Sequence, residues 1–418
     1  MTTLLAIGDM HLGRPPSAIP EDLDRRRDAL GPEAAWTRCV ELALNRNVDA
    51  VLLAGDLVDQ GRDFFVGYGQ LKAGIEQLVA ADIPVLAVAG NHDTLILPRL
   101  ADEIDGLELL GAGGEWQTRR LGNLDIVGWS FPREQVRQSP LSKLQIQRGK
   151  YPVIGLLHCD LDQADSPYAP VSTSELEATP VNAWLLGHIH RPDRLDGDRP
   201  IGYLGSVTAL RASETGPRGP WLLQVGKQKI TAEHQPLAPM RYEAIEIDCT
   251  ELDDAAGLGE RILAGTRDRI QGLAEHDEPP LAVGFRITLT GQSGRASEIT
   301  AAAGELAADG RSWNEAGIAC FIQKIESALL PQLDLKRLAR QSDPRGLLAR
   351  RLLALEAPDS EEYDRLVQRG REAMSPLIGS REFRDLDQSL DDDTVAAWLK
   401  RASRLALIRL TDQHEDAR

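Results

Sequence analysis

The chain has 418 residues, 42% of them apolar and 27% charged, enough for two or three globular domains with a substantial core. Its net charge is −17, and neither half is basic: residues 1–240 carry 23 Lys and Arg against 31 Asp and Glu, and the rest carry 24 against 33, so a general nucleic-acid coat is excluded. No run approaches the roughly 18 apolar residues of a membrane helix, Asp9 interrupts the first apolar run before a signal-peptide core could form, and the four scattered cysteines (Cys39, Cys159, Cys249, Cys320) contain no CxxC pair. A cytoplasmic protein with no membrane contact is expected.

In chain order, Leu4 to Ile7 is a short apolar run that ends at Asp9-Met10-His11. Glu33 to Arg46 places Ala35, Trp36, Val40 and Ala43 at helical spacing. Ala50 to Ala54 leads into Gly55-Asp56-Leu57-Val58-Asp59, and Val66 to Ala80 is a second helix. Pro84 to Ala89 leads into Gly90-Asn91-His92-Asp93, Val153 to Leu157 into His158, and Ala183 to Leu186 into Gly187-His188-Ile189-His190. Short apolar runs bounded by glycine are buried strands. Further strands are expected at Leu107 to Leu110, Asp125 to Trp129, Ile201 to Leu204, Trp221 to Val225 and Lys229 to Ala232. The expected fold over residues 1–238 is a mixed α/β sandwich of two sheets with helices outside.

Pro236 to Pro239 marks a boundary. Beyond it a strand at Tyr242 to Ile247, a helix over Glu251 to Leu273, an alternating strand at Val283 to Leu289, a helix over Ile299 to Ala308 and a strand at Ile318 to Ile325 predict a smaller α+β domain over 239–330. Residues 331–418 read as helical, with Leu347 to Leu355, Glu361 to Met374 and Asp391 to Leu410 as the helices. Asp391-Asp392-Asp393-Thr394 is a helix start, because carboxylates stabilise the free N–H groups there. The last helix aligns Val395, Trp398, Leu399, Ala402, Leu405 and Ile408 on one face, to dock on its own domain or on a partner.

Five of the eight histidines fall in the five patches that follow apolar strands. Strand ends of an α/β sheet are where ligands gather. Each patch alone is commonplace, since Gly-Asp is a frequent turn pair and Asp-x-His can be a solvated loop. Together they spell a two-metal site for phosphoryl transfer, in which ions about 3.5–4 Å apart clamp the attacking and leaving oxygens. Asp9 with His11, and His188 with His190, are two residues apart and point to one side of an extended chain. A carboxylate can bridge two ions, and Asp56 is the natural bridge, while the Asn91 amide oxygen completes a shell without adding charge. His92 is the catalytic residue expected to protonate the leaving oxygen, because an imidazole free of metal titrates near working pH. Asp59 and Asp93 are expected to orient ligands.

This order of motifs resembles the calcineurin-like metallophosphoesterases, and within them the SbcD-type DNA repair exonucleases and the bacterial YhaO-like proteins. The runs Gly155-Leu-Leu-His-Cys-Asp, Tyr168-Ala-Pro, Glu175-Leu176, Gly205-Ser206 and Glu214-Thr-Gly-Pro-Arg-Gly add to the likeness. The resemblance implies that Asp9, His11, Asp56 and His190 hold one ion and Asp56, Asn91, His158 and His188 the other. It implies manganese as the metal, a capping domain over 239–330, and a C-terminal helix that holds an SbcC- or YhaN-like coiled-coil ATPase. A homodimer is also compatible with it.

The function expected is therefore a metal-dependent DNA nuclease acting on ends in double-strand break repair. Arg14, Arg191 and Arg218 are candidates for contacts to the DNA backbone, and Lys336, Arg337, Arg340, Arg345, Arg350 and Arg351 form a second basic region. The rival readings are a small-molecule phosphodiesterase with the same metals and a DNA-end-binding scaffold without catalysis.

Overall fold

The computed structural model describes residues 2–147, 149–226, 229–252, 254–358, 360–378 and 391–415. The chain forms two compact units, one of Met1–Glu246, Glu260–Thr288 and Gly304–Glu326, the other of Ile247–Gly259, Leu289–Ala303 and Ser327–Arg418.

In the first unit, β1 (Thr2–Ile7), β2 (Ala50–Leu53), β3 (Val85–Ala87) and β4 (Leu107–Leu109) run parallel to one another. A second sheet holds β5 (Gln117–Leu121), β6 (Leu124–Trp129), β7 (Val153–His158), β8 (Ala183–Gly187) and β9 (Ile201–Tyr203), in that order. Strands β10 (Trp221–Val225) and β11 (Ile230–His234) then return to the first sheet, giving the order β11-β10-β1-β2-β3-β4.

The alternation along each strand explains why its sequence is apolar throughout. In β1, Leu4 and Ala6 pack into the core between the sheets with Leu52, Leu86, Ile154 and Leu185. Leu5 and Ile7 point the other way, onto Trp36, Cys39, Leu71 and Ile75 of helices Pro32–Asn45 and Phe64–Ala80. In β8 the same split sends Leu185 inward and Trp184 and Leu186 onto the outer layer with Leu176. Strands covered on both faces lose the polar half of a period-2 pattern. The expected two-sheet α/β layering is thus present.

A third sheet has the order β12-β13-β16-β15, built from β12 (Met240–Asp248), β13 (Ala282–Thr290), β15 (Ser312–Glu315) and β16 (Ile318–Ser327); β14 (Gln292–Ser293) and β17 (Leu330–Pro331) form a two-stranded sheet of their own. Met240, Tyr242, Ala282, Ala319 and Phe321 of this sheet bury Leu23 and Leu30 from the segment that follows the first motif. The helix expected from Glu251 instead runs Leu258–Ala274. Asp254 accepts a hydrogen bond from the Ala256 amide, capping a short 3-10 turn that delays its start.

The second unit includes helices Pro344–Leu355, Glu361–Ile378 and Asp392–Glu415. The terminal helix turns Val395 and Ala396 onto Leu355, Tyr363 and Val367, and Leu407 onto Leu338, Ala349 and Leu352. Past Leu399 the expected seam is corrected. Leu407 is the buried residue, while Ala402 and Leu405 face solvent. Among the described residues no helix is long and apolar enough to cross a membrane.

Candidate metal centre

All eight predicted site residues converge at the strand ends of the first unit. Asp9 and His11 follow β1, Asp56 follows β2, Asn91 and His92 follow β3, His158 ends β7, and His188 and His190 follow β8. The chain turns sharply at these points. Asp9, His11, Asp56 and His188 all have positive φ, at 29°, 50°, 50° and 107°, a conformation that costs a side-chain-bearing residue about 1–3 kcal/mol. Glycine allows the loops to close on one another: a side-chain carbon at Gly90 would sit 2.1 Å from Asp56 Oδ1, and one at Gly187 would sit 2.1 Å from the Ala54 carbonyl.

Three groups of side chains bring ligand atoms within 4.8 Å of one another: Asp9, His11 and His190; His11, Asp59 and His92; and Asp56, His158 and His188. The first is one predicted ligand set without the shared Asp56, and the third is the other without the amide of Asn91. Asp56 lies between them, with Oδ2 3.7 Å from His11 Nε2 and 3.4 Å from His158 Nε2.

Each imidazole in these sets has one nitrogen beside an acceptor oxygen, and in His11, His158 and His190 that nitrogen is hydrogen-bonded. His11 Nδ1–H donates to Asp59 Oδ1 at 3.0 Å, and His158 Nδ1–H to the Ala54 carbonyl at 3.0 Å. His190 Nδ1–H donates to Glu214 Oε1 at 2.9 Å, and His188 Nε2 makes an ion-pair contact with Asp160 Oδ1 at 3.2 Å. A carboxylate or carbonyl can only accept, so the opposite nitrogen carries a lone pair. His158 Nε2 then points a lone pair at Asn91 Oδ1 from 3.1 Å, and His188 Nδ1 lies 3.1 Å from the same oxygen. His11 Nε2 is buried with no hydrogen-bond partner. An acceptor meeting an acceptor, beside an orphaned buried nitrogen, is a donor set that fits cations.

Residues 2–192 match the family model of the calcineurin-like phosphoesterases, and residues 242–329 match that of the middle domain of metallophosphoesterase YhaO. Residues 2–192 are a calcineurin-like phosphoesterase domain. The chain is 26% identical over 286 residues to metallophosphoesterase YhaO of Bacillus subtilis, covering 61% of this chain and 65% of that protein. It is 33% identical over 239 residues to the DNA double-strand break repair protein Mre11 of Aeropyrum pernix, covering 52% and 56% of the two chains. For the Mre11 of Haloferax volcanii the identity is 31% over 264 residues, covering 59% and 55%. The chain thus spans 65%, 56% and 55% of the length of these relatives.

The electrostatics of the phosphoesterase domain follow from burial. Burial and the neighbouring Asp56 raise the Asp9 carboxyl well above the usual range. Burial also raises Asp56, but His158, His11 and His92 outweigh it and hold that carboxyl below its ordinary value. Burial lowers His11 and His188 and takes His158 down to about 4, which keeps these imidazoles neutral, the form that binds metal.

His92 stands apart from the predicted ligands. It is exposed, its backbone N–H donates to Asp56 Oδ1 at 3.0 Å, and its Nδ1 faces the Asp59 carbonyl at 3.3 Å. It borders a cavity of about 440 Å³ that Gln60, Glu134, Gln135 and Tyr168 also line. The Tyr168 ring lies 5.1 Å from that of His188.

Three expectations change. Asp93 orients no ligand side chain; its buried carboxylate accepts the Leu57 and Gly90 amides at 2.7 and 2.8 Å and so ties the Asp56 loop to the Asn91 loop. Arg218 is only 3% exposed and donates to the His190 carbonyl, so it holds the loop and is not a surface cation for DNA. In the second basic region, Arg345 pairs with Asp343 and Arg350 caps the Ala339 and Gln341 carbonyls. Asp160 and Glu214 were not singled out from sequence as site residues, although both lie in the family-like runs around Tyr168 and Gly216.

Proposed function

We propose that the chain is a manganese-dependent DNA nuclease that hydrolyses phosphodiester bonds at DNA ends during double-strand break repair, inside the cell. Residues 239–330 would serve as the capping domain and 331–418 as the partner-binding region, with a coiled-coil ATPase of the SbcC or YhaN type as the partner. The observation that carries this reading is the pair of His/Asp sets meeting at Asp56, with His11 Nε2 orphaned between neutral imidazoles. The likeness to two proteins named for DNA double-strand break repair supports DNA as the substrate.

Asp9, His11, Asp56 and His190 would hold one divalent cation, and Asp56, Asn91, His158 and His188 the other. Bound there, the cations would activate water and neutralise the phosphate. His92 does the remaining proton work. With Nδ1–H turned to the Asp59 carbonyl, Nε2 carries a proton only in the imidazolium form, and in that form it would deliver the proton to the departing oxygen. The acidic chain then meets a polyanion through its metals and local cations, of which the exposed Arg191 remains, while Arg14 pairs with Asp59 at 3.4 Å.

The test is digestion of end-labelled DNA duplexes by the purified chain in Mn2+, with and without the coiled-coil ATPase. Shortened products that vanish with chelator are expected. Hydrolysis of small aryl phosphodiesters with DNA left whole would turn the reading toward a small-molecule phosphodiesterase. Tight binding of DNA ends with no hydrolysis of either would turn it toward a scaffold.

A further inference from the structure

Two carboxylates outside the five motif patches each touch one histidine, and the two histidines belong to different ligand sets. Glu214 Oε1 accepts from His190 Nδ1 at 2.9 Å, and its other oxygen accepts the Leu210 amide at 2.8 Å. Asp160 Oδ1 lies in ion-pair contact with His188 Nε2 at 3.2 Å, and its other oxygen accepts from the Ser166 hydroxyl. Both carboxylates are thus fixed from behind, each by its own loop.

The two loops lead to different parts of the first unit. The Glu214 loop continues to Gly216, whose amide donates to the Tyr242 carbonyl of β12 at 2.8 Å. It also carries Arg218, which holds the His190 carbonyl. The Asp160 loop continues to Tyr168, whose carbonyl accepts the Asp160 amide at 2.9 Å and whose ring lines the cavity beside His92.

The histidines are also presented with opposite nitrogens. Asp160 sits against His188 Nε2 while Nδ1 faces Asn91, whereas Glu214 holds His190 by Nδ1 and leaves Nε2 as its ligand atom. An imidazole without its carboxylate can take the other tautomer or rotate, and it is a weaker base. We propose that Glu214 and Asp160 are positioning residues that set the affinity of the two cations separately, Glu214 for the ion of the Asp9–His11–His190 set and Asp160 for the ion of the Asp56–His158–His188 set. The inference rests on the two-ion reading above. Each ion is thereby tied to a different neighbourhood, one to the third sheet and one to the cavity wall.

The experiment is Mn2+ titration by calorimetry and electron paramagnetic resonance of the full chain and of Glu214→Ala, Glu214→Gln, Asp160→Ala and Asp160→Asn. Wild type is expected to bind two ions with an exchange-coupled spectrum. Each alanine variant should keep one tight ion and weaken the other by about 10- to 100-fold, leaving an uncoupled six-line signal at one equivalent. The amide variants keep an acceptor oxygen and should retain most of the affinity. Adding Glu214→Ala to His190→Ala should change little, because Glu214 acts through that imidazole, while adding His188→Ala to Glu214→Ala should abolish the remaining tight ion.

Equal weakening of both ions by either alanine variant would overturn the separate assignment, as would amide variants as impaired as alanine. If an alanine variant melts below wild type without metal, Glu214→Asp, which shortens the reach to Nδ1, takes its place with the same expectation of one weakened ion. Two tight ions in every variant would sink this inference alone. Fewer than two in wild type would sink the two-ion reading with it.

Discussion

His11 gives its Nδ1 proton to Asp59 and turns Nε2 toward Asp56, 3.7 Å from the same Oδ2 that His158 approaches to 3.4 Å from the other side. One carboxylate oxygen is thus shared by two imidazoles from separate sheets. Asp56→Ala should abolish binding of both ions, where loss of His190 or His158 should cost one. Metal content per chain after desalting is the measurement, and one retained ion would show that Asp56 is no bridge.

His92 touches the cluster through its backbone, and its ring leans on the Asp59 carbonyl. The expectation for His92→Ala is cleavage slowed by about 10²- to 10⁴-fold with Mn2+ affinity close to wild type. Single-turnover rates alongside calorimetry separate the two quantities. Parallel loss of metal would make His92 a ligand.

Tyr168 is the aromatic wall of the cavity that His92 borders. If a nucleobase stacks there, Tyr168→Ala should lose about 1–3 kcal/mol of substrate binding, roughly 5- to 150-fold, while Tyr168→Phe keeps it. The comparison is KM on normal DNA and on DNA with an abasic residue at the cleaved end. A loss that is the same on both substrates would count against stacking.

His234 offers a pH test away from the metals. Its ring lies 4.9 Å from Trp221, and burial lowers its pKa to about 4. Because the folded value lies below the unfolded one of about 6.5, the unfolded chain binds the extra proton first. Its contribution to stability is full above about pH 6.5 and is lost as pH falls toward 4, by as much as about 2–3 kcal/mol. Urea midpoints for His234→Gln should fall less steeply than wild type across that window. Parallel curves would disprove the assignment.

In the second unit, Leu407 is fully buried against Leu338, Ala349 and Leu352, whereas Leu405 is 45% exposed. Leu407→Ala should destabilise by about 2–5 kcal/mol, and Leu405→Asp by less than about 0.5 kcal/mol. If the ATPase docks on this helix, Leu405→Asp should weaken the complex at unchanged melting temperature, as read by analytical centrifugation.

The strand ends were legible because buried strands of this kind are short, uniformly apolar and stopped by glycine, so Asp9, Asp56, Asn91, His158 and His188 stood out at their edges. The alternating partners, with Leu4 inward and Leu5 outward, leave no trace in such a run, and the layering could be inferred only from element order. Strand β5, reading Gln-Thr-Arg-Arg-Leu, went unread since an exposed edge strand carries no apolar signal. Asp160 and Glu214 were hidden for a different reason. They are two among 64 acids, and what marks them is the approach of a histidine from elsewhere in the chain. Arg218 looked like a surface cation because sequence shows its charge but not the His190 carbonyl it caps. The seam of the terminal helix failed past Leu399, where two successive hydrophobic clusters require a drift in register.

The positive φ angles at Asp9, His11, Asp56 and His188 set stability against function in this chain. Glycine at any of the four would relax the backbone and remove a side chain that the cluster uses. A search for thermostable variants made without metal present would therefore be drawn to these positions and would discard the catalyst. Run in the presence of the ion, the same search would be pushed away from them, since the released tension would be outweighed by lost coordination.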